Sequence, residues 1–258
     1  RYTKQIIKDF GYKDKITALK CRADKVPVKS LSWRYDTVIL NSVIQYFPNL
    51  DYMENILNQL IDNIDKVGQI FIGDIRDYRL LECFHYSLLK FKSKQVTLSG
   101  INYSTQREKE LLVAPKYFVD FQKANIYVSY IEFLPKLGNS SHEMNCYRYD
   151  VILHINKNIE NKNSYKRISN SDFVKVLDVK EYLNKHNRKE NIYIKYPNKR
   201  IATDYIEYSM LLEKQCDLGT NNINTLLNLA DLSHIFAQKN FKVEFYLDIL
   251  DPLYINVV

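Results

Sequence analysis

The sequence predicts an α/β fold organised around one βαβ unit at residues 35–79. The unit opens with the apolar run TVIL at residues 37–40, which is typical of a parallel strand covered on both faces. Between Asp51 and Ile64, apolar residues recur at helical spacing and predict a helix. A second apolar run, QIFI at residues 69–72, follows a glycine and stops at Gly73. Strand, helix and strand in this order predict two parallel strands.

Polar side chains follow each of these two strands. Ligands of parallel sheets bind at the carboxyl ends of the strands, so we expect a site at this edge of the sheet. The residues in question are Asn41, Ser42, Gln45 and Tyr46 after the first strand, and Asp74 and Arg76 after the second.

Composition limits the possible classes. A chain of 258 residues with 46% hydrophobic content can form one large domain or two small ones. The net charge of +7 is spread along the chain, without a basic cluster or an RNA-binding motif, so we expect no nucleic acid partner. An anionic protein surface or a phosphate-bearing substrate fits this diffuse charge. No apolar stretch approaches the length of a membrane span, so no membrane partner is expected either.

The four cysteines have no C-x-x-C spacing and no neighbouring histidine pair. Neither a disulfide framework nor a zinc site is indicated, and no metal is expected. We expect reduced, buried thiols, as in a cytoplasmic protein, at Cys21, Cys83, Cys146 and Cys216.

The first part of the chain predicts a helix and a strand. Residues 2–10 have the pattern of a helix that Gly11 ends in the left-handed conformation. Residues 15–21 predict a short strand, after which Asp24 follows in a turn. The chain begins without Met, already in a helical pattern, so a domain cut from a longer chain is expected.

The rest of the chain alternates between helices and strands. Predicted helices cover residues 78–91, part of 105–123 with a break at Pro115, 201–212 and 222–239. Predicted strands cover 126–133, 147–155, 192–195, 241–246 and 253–257, with a strand and a helix within 174–183. The polar segment 156–163 predicts a linker, so we expect two domains, at residues 1–158 and 164–258.

Five segments of the chain resemble one family. They are DTVILNSVIQYFP (36–48), GQIFIGDIRDYRLLECFH (68–85), EKELLVAPKYFVDF (108–121), HEMNCYRYDVILH (142–154) and YPNKRIATD (196–204). All resemble the N-methyltransferase domains of nonribosomal peptide synthetases, which are class I enzymes dependent on S-adenosylmethionine. The resemblance implies a Rossmann-like class I methyltransferase sheet, whose last strand inserts antiparallel, and a small C-terminal α/β subdomain. The family's glycine-rich cofactor loop is absent from these residues, so the first strands of that sheet are expected to precede Arg1.

The resemblance also implies a reaction and a set of site residues. The reaction is transfer of a methyl group from S-adenosylmethionine to the α-amine of an aminoacyl thioester. The thioester would be held on a phosphopantetheinyl carrier domain, with a neighbouring adenylation domain as a further partner. Glu143 and His85 would accept a proton or orient the amine, and Tyr46 and Arg76 would shape the site. Asp24, Asn41, Ser42 and Gln45 would contact the cofactor.

Structural alternatives remain for several of these residues. Asp24 can be an ordinary turn residue, His85 a core or surface histidine, and Glu143 a surface glutamate. Arg76 can pair with Asp74 or Asp77 instead of holding a substrate oxygen. Two further functions also stay open, a non-catalytic scaffold within a synthetase and a free-standing small-molecule N-methyltransferase. The turn NSVIQYFP is unlike the motif of nucleic acid amine methyltransferases, which disfavours that class.

Overall fold

The computed structural model describes residues 2–26, 35–92, 95–138, 140–156, 174–186, 191–216, 218 and 220–258. Within these ranges the chain forms a five-stranded sheet and a four-stranded sheet, each packed against helices. The predicted α/β class is therefore confirmed.

The first sheet joins a parallel pair of strands to an antiparallel pair. β1 is parallel to β2, and β5 lies between β2 and β4, antiparallel to both. The short β3 pairs with the end of β2. Both the parallel pair and the antiparallel insertion of the last strand agree with the sequence-based expectation. The strands are β1 Tyr35–Asn41, β2 Ile64–Asp77, β3 Leu112–Val113, β4 Val128–Pro135 and β5 Arg148–Ile155.

Local signals define the helices around this sheet. The Asn49 side chain caps α2 by accepting from the backbone N–H of Tyr52 at 2.8 Å. Pro115 occupies the first turn of α5, where its missing N–H costs nothing. Gly11 follows α1 with a φ of +70°, as predicted. The helices are α1 Tyr2–Asp9, α2 Leu50–Ile61, α3 Leu81–Lys92, α4 Leu98–Gln106, α5 Pro115–Ala124 and α6 Glu143–Cys146.

β2 is longer than the sequence predicts. The apolar run was expected to end at Gly73, but the strand continues to Asp77. Its register against β5 shifts between Ile72 and Ile75, because Asp74 takes a left-handed φ of 63°. The Asp150 carboxylate accepts the backbone N–H of Asp74 at 2.9 Å, so the strand kinks there without ending.

Three other predicted elements are wrong. The helix expected from residue 105 toward the break at Pro115 does not form, since α4 ends at Gln106 and β3 follows it. Residues 16–22 form no strand, and they are mostly exposed. A short strand needs a neighbouring strand to be stable, and the described strands do not pair with this segment. The predicted helix 222–239 is split into a 3₁₀ turn at Thr220–Thr225 and a helix at Leu229–Gln238. Asn228 starts that helix by accepting from the backbone N–H of Asp231 at 2.8 Å.

The second sheet follows the order β6-β7-β9-β8. β6 and β7 are parallel, and β9 is antiparallel to both β7 and β8. Residues 157–163 of the predicted linker lie outside the described ranges. The elements are β6 Val174–Lys175, α7 Val179–Lys185, β7 Ile194–Pro197, α8 Lys199–Leu211, α9 Leu229–Gln238, β8 Phe245–Leu247 and β9 Tyr254–Val257.

Buried apolar side chains cluster against each sheet and between helices α3 and α8. Ile70 and Leu153 are central to the first core, and Tyr196 and Ile255 to the second. A third cluster lies between α3 and α8 and includes Phe84, Tyr147, Ile201 and Tyr208. Of the four cysteines, Cys83 and Cys146 are buried as predicted, Cys216 is half-buried, and Cys21 is exposed because the strand predicted around it does not form. Within the described ranges, no helix is long and apolar enough to cross a membrane.

Arg79 links the two sheets through polar contacts. Its Nη2 lies 2.6 Å from Asp77 Oδ2, at the end of β2. Its Nη1 donates to the backbone carbonyl of Asp248, beyond β8, at 2.7 Å. Both ionic side chains are largely removed from water, since only 14% of Arg79 and 2% of Asp77 is exposed. Removing the arginine would leave a buried carboxylate without its partner.

We expect Arg79→Ala to lower the free energy of unfolding by about 3 kcal/mol or more, because an unpaired buried charge is costly. The matched control is Lys116→Ala, which removes an exposed ion pair with Asp120 and should change stability by less than about 0.5 kcal/mol. Urea unfolding followed by circular dichroism measures both. Equal effects of the two substitutions would show that the Arg79 link contributes little.

Candidate functional site

An open cleft of about 370 Å³ lies beside the last residues of β2 and the first residues of β5. Helices α3, α4 and α6 and the segment after α4 contribute the other side chains. Three of the four predicted catalytic residues, Arg76, His85 and Glu143, line this cleft. The complete lining is Arg76, Phe84, His85, Leu88, Ser104, Arg107, Glu108, Glu110, Glu143 and Arg148.

Two arginines of adjacent strands share the cleft. Arg76 of β2 and Arg148 of β5 are directly opposite each other in the antiparallel register, so their side chains project to the same face. Only 6% of the Arg76 side chain and 10% of the Arg148 side chain is exposed. Guanidinium groups this buried need anionic partners or other acceptors close by.

Arg76 binds two glutamates of the segment after α4. Its Nη1 lies 2.8 Å from Glu108 Oε2 and 3.2 Å from Glu110 Oε2. The guanidinium carbon also lies 4.9 Å from the centre of the Phe84 ring, a cation–π distance. The expected pairing of Arg76 with Asp74 or Asp77 is wrong. Asp77 pairs with Arg79 instead, and Asp74 pairs with Lys136.

Glu108 is held in its ionised form. Burial alone would raise the pKa of its carboxyl group. The backbone N–H of Glu110 and the charge of Arg76 outweigh burial and bring this pKa below its usual range. Glu108 Oε1 accepts from the backbone N–H groups of Lys109 at 2.9 Å and Glu110 at 3.1 Å. The carboxylate is therefore fixed in place next to α3.

His85 faces this carboxylate from α3. Its Nε2 lies 3.6 Å from Glu108 Oε2, which is ion-pair range but too long for a hydrogen bond. Burial lowers the pKa of His85, and the nearby Arg76 charge adds to this effect against the opposing pull of Glu108. The imidazole is therefore neutral at pH 7, although a carboxylate is close. Among the described residues its Nε2 has no hydrogen-bond partner.

Glu143 starts the short helix α6 at the rim of the cleft. Its Oε1 accepts from Arg148 Nη2 at 2.7 Å, and 40% of its side chain is exposed. This pairing makes Glu143 an anchor for Arg148, and its role as a proton acceptor or amine-orienting group, which the resemblance implies, stays a prediction. Arg148 Nε is buried and has no hydrogen-bond partner within the described ranges.

A second polar cluster lies where β1 ends and β2 kinks. Ser42 and Asp74 both have left-handed backbones, with φ of 54° and 63°. Ser42 Oγ donates to Asp74 Oδ2, and Asn41 Nδ2 donates to Ser42 Oγ at 3.3 Å. A Cβ on Gly73 would contact the Asn41 side-chain amide, so a larger residue there would displace this amide. The predicted proximity of the two strand ends is thus present.

Lys136 neutralises this second cluster. Its Nζ lies 2.5 Å from Asp74 Oδ1 and 2.6 Å from Asp150 Oδ1. Burial alone would raise the pKa of Asp74. Hydrogen bonds from Lys136 and Ser42 outweigh burial, and this pKa lies below its usual range. The kink is therefore held by one half-buried cation between two carboxylates.

The other predicted residues lie around these two clusters. Gln45 is buried with no described hydrogen-bond partner for its Oε1, and its carbonyl accepts from the backbone N–H of Leu111 at 2.8 Å. Tyr46 does not line the cleft, and 74% of it is exposed. Asp24 accepts from Tyr52 of α2 and from Arg22, both at 2.9 Å, which suits a turn aspartate.

Sequence reasoning missed several charged residues of the site. Glu108 and Glu110 lie in the run REKE, which has the composition of an exposed segment. Arg148 lies within RYD at the start of a predicted strand, and Lys136 follows another strand, yet neither stood out from ordinary surface cations. Across the described residues, no three His, Cys, Asp or Glu side chains are grouped as a metal site.

Comparison with known proteins finds relatives among very long synthetases. The chain is 38% identical over 128 residues, 49% of its length, to a probable nonribosomal peptide synthetase, CymA of Salinispora arenicola. It is 34% identical over 127 residues, 47% of its length, to chondramide synthase cmdD of Chondromyces crocatus. It is 29% identical over 237 residues, 85% of its length, to nonribosomal peptide synthetase TES of Alternaria alternata.

These matches span only 2%, 3% and 4% of the three synthetases. No protein-family model matches the chain. The chain is therefore similar to a short part of several nonribosomal peptide synthetases, which agrees with the synthetase part of the resemblance.

We expect Asp74→Asn to destabilise the protein by about 2 kcal/mol at pH 7, because it removes a buried charge partner of Lys136. The pKa of Asp74 is lowered in the folded state, so its stabilising effect is present above about pH 4 and is lost as the pH falls further. Unfolding free energies measured from pH 7 to pH 2.5 should show wild type and variant converging in acid. The control Asp14→Asn, on the exposed N-terminal segment, should change little. A difference that stays constant with pH would contradict the assignment.

Proposed function

We propose that the chain is a methyltransferase unit acting in nonribosomal peptide synthesis, and that it methylates the α-amine of a carrier-bound aminoacyl thioester. The observation that carries this proposal is the cleft, which brings His85, Arg76 and Glu143 together beside β2. The antiparallel insertion of β5 between β2 and β4 supports a class I methyltransferase sheet. Similarity to nonribosomal peptide synthetases supports the biosynthetic setting.

The residues at the strand ends suit the proposed cofactor. S-adenosylmethionine would supply a methyl group activated by the positive sulfonium. Gln45 is buried with an unpartnered Oε1, and such an atom calls for a donor from a ligand or water. Asn41 and Ser42 lie at the end of β1, and Asp24 would offer its carboxylate from the adjoining turn. The sequence given contains no glycine-rich cofactor loop, so these residues would hold only part of S-adenosylmethionine.

The proposed methyl transfer requires few functional groups in the cleft. A free α-amine has a pKa of about 7.7 to 8.0, so a useful neutral fraction exists near pH 7. The site has to orient the amine and accept one proton, and a neutral buried histidine can do both. The lowered pKa of His85 keeps its imidazole unprotonated for this purpose. Arg76 clamps Glu108, which in turn would stabilise His85 once it is protonated.

The charge of the chain agrees with the proposed partner. A net charge of +7 favours an anionic surface and the phosphate of a phosphopantetheine arm. A carrier domain and an adjacent adenylation domain are the partners we propose on this basis. Charge complementarity of this kind mainly raises the rate of association and weakens with added salt.

The proposal is tested by two measurements on the native protein. Calorimetry with S-adenosylmethionine measures binding, and mass spectrometry of an aminoacyl carrier domain after incubation with the cofactor measures methylation. Binding together with a mass gain of one methyl group on the aminoacyl group would support the proposal. Absence of both would favour the scaffold reading. Methylation of a free amino acid in preference to the carrier-bound one would favour a free-standing enzyme.

We expect His85→Asn to lower the rate of methyl transfer by about 10² to 10⁴-fold, the usual contribution of a general base. The control His234→Asn alters an exposed histidine of the second sheet's helix and should leave the rate unchanged. The ratio of the wild-type rate to the His85→Asn rate cancels titration of the substrate amine. Because the pKa of His85 is lowered, this ratio should stay constant down to about pH 6.5 and fall only in stronger acid. A ratio near one at pH 7 would remove His85 from the reaction.

A further inference from the structure

Arg148 has an incomplete set of hydrogen bonds for a buried arginine. Its Nη2 donates to Glu143 Oε1 at 2.7 Å, while its Nε is buried without a partner in the described part of the chain. A buried donor left without an acceptor costs about 1 to 3 kcal/mol, so such atoms usually have a partner in the functional state. Arg148 also lines the cleft and lies opposite Arg76 in the sheet.

The fork of an arginine offers Nε–H and Nη–H side by side, a geometry that suits two oxygens at once. Glu143 supplies one oxygen to this fork. The second position, at Nε, has no acceptor in the described part of the chain, and protein atoms enclose it in this conformation. Arg148 lines the cleft, so an outward turn of its guanidinium would bring Nε–H to an oxygen atom there.

The charges of the cleft favour an uncharged oxygen. Its cations are Arg76, Arg107 and Arg148, and its anions are Glu108, Glu110 and Glu143, so the charges balance. A free carboxylate placed at Arg148 Nε would lie close to the Glu143 carboxylate, which is unfavourable. A carbonyl oxygen accepts the same N–H without adding charge.

We propose that Arg148 is a positioning residue that donates Nε–H to the acyl carbonyl oxygen of an α-aminoacyl ligand, with its amine toward His85 Nε2. His85 Nε2 is the other unpartnered buried nitrogen of the cleft, and it is neutral. An α-aminoacyl group carries a carbonyl oxygen and an amine on adjacent carbon atoms, so it offers one partner to each of these two groups. The identity of the ligand rests on the proposed function, whereas the role of Arg148 is measured by binding alone.

The experiment measures the affinity of the native protein for two pantetheine conjugates of alanine by calorimetry. One conjugate has an amide carbonyl, and in the other a thioamide sulfur, a weaker acceptor, replaces that oxygen. Wild type should bind the oxygen ligand about tenfold more tightly than the sulfur ligand. Arg148→Lys keeps the charge but lacks the Nε–H, so it should lose this preference and bind both ligands equally.

The control Arg107→Lys changes another arginine of the cleft, which contacts Tyr103, and it should retain the tenfold preference. If Arg148→Lys retains the preference, or wild type shows none, the proposal is overturned. If Arg148→Lys does not fold, Arg148→Met, which keeps an unbranched side chain without any N–H donor, takes its place and should likewise lose the preference. Tighter binding of free alanine than of the conjugate would also overturn it. Binding with the predicted preference but without methyl transfer would refute the proposed function and leave the role of Arg148 standing.

Discussion

The ion triad of Lys136, Asp74 and Asp150 supports much of the site geometry. Lys136 neutralises both carboxylates at the point where Asp74 takes a left-handed backbone. With it, β2 bends and continues to Asp77, where it still pairs with β5 and β3. This continuation places Arg76 opposite Arg148 in the cleft and Asp77 within reach of Arg79. One kink thus sets both the arginine pair of the cleft and the link to the second sheet.

The charged side chains of the cleft compensate one another. Arg76 is nearly buried, and two glutamates from the loop after α4 balance it. Because Arg76 already holds Glu108, the carboxylate attracts a proton on His85 less strongly, and burial then keeps the imidazole neutral. The same glutamate is close enough to stabilise a proton that arrives later. A neutral histidine beside an ionised carboxylate is consistent with the proton acceptor that we propose.

The sequence was informative where local pattern determines structure. The apolar runs and the left-handed Gly11 rest on neighbouring residues, and these features are present in the fold. Predictions failed where the local structure depends on a residue that is far away in the sequence. The extension of β2 needs Asp150, 76 residues away, and the strand expected at 15–21 lacks any described neighbour. His85 and Glu143 were found through resemblance, but Glu108 and Arg148 gain their roles only from tertiary packing.

Helix α3 contacts both α8, which belongs to the second sheet's layer of helices, and the cleft. Glu82, Tyr86 and Lys90, spaced four residues apart, face α8 and bind Tyr208, Glu207 and Asp204. Phe84, His85 and Leu88 line the cleft from the same helix. Because both sets of side chains share one rigid helix, the position of His85 relative to Glu108 depends on packing against α8. The second sheet is therefore part of the support of the cleft, and substitutions at the α3–α8 contact would act on His85 without touching any bound molecule.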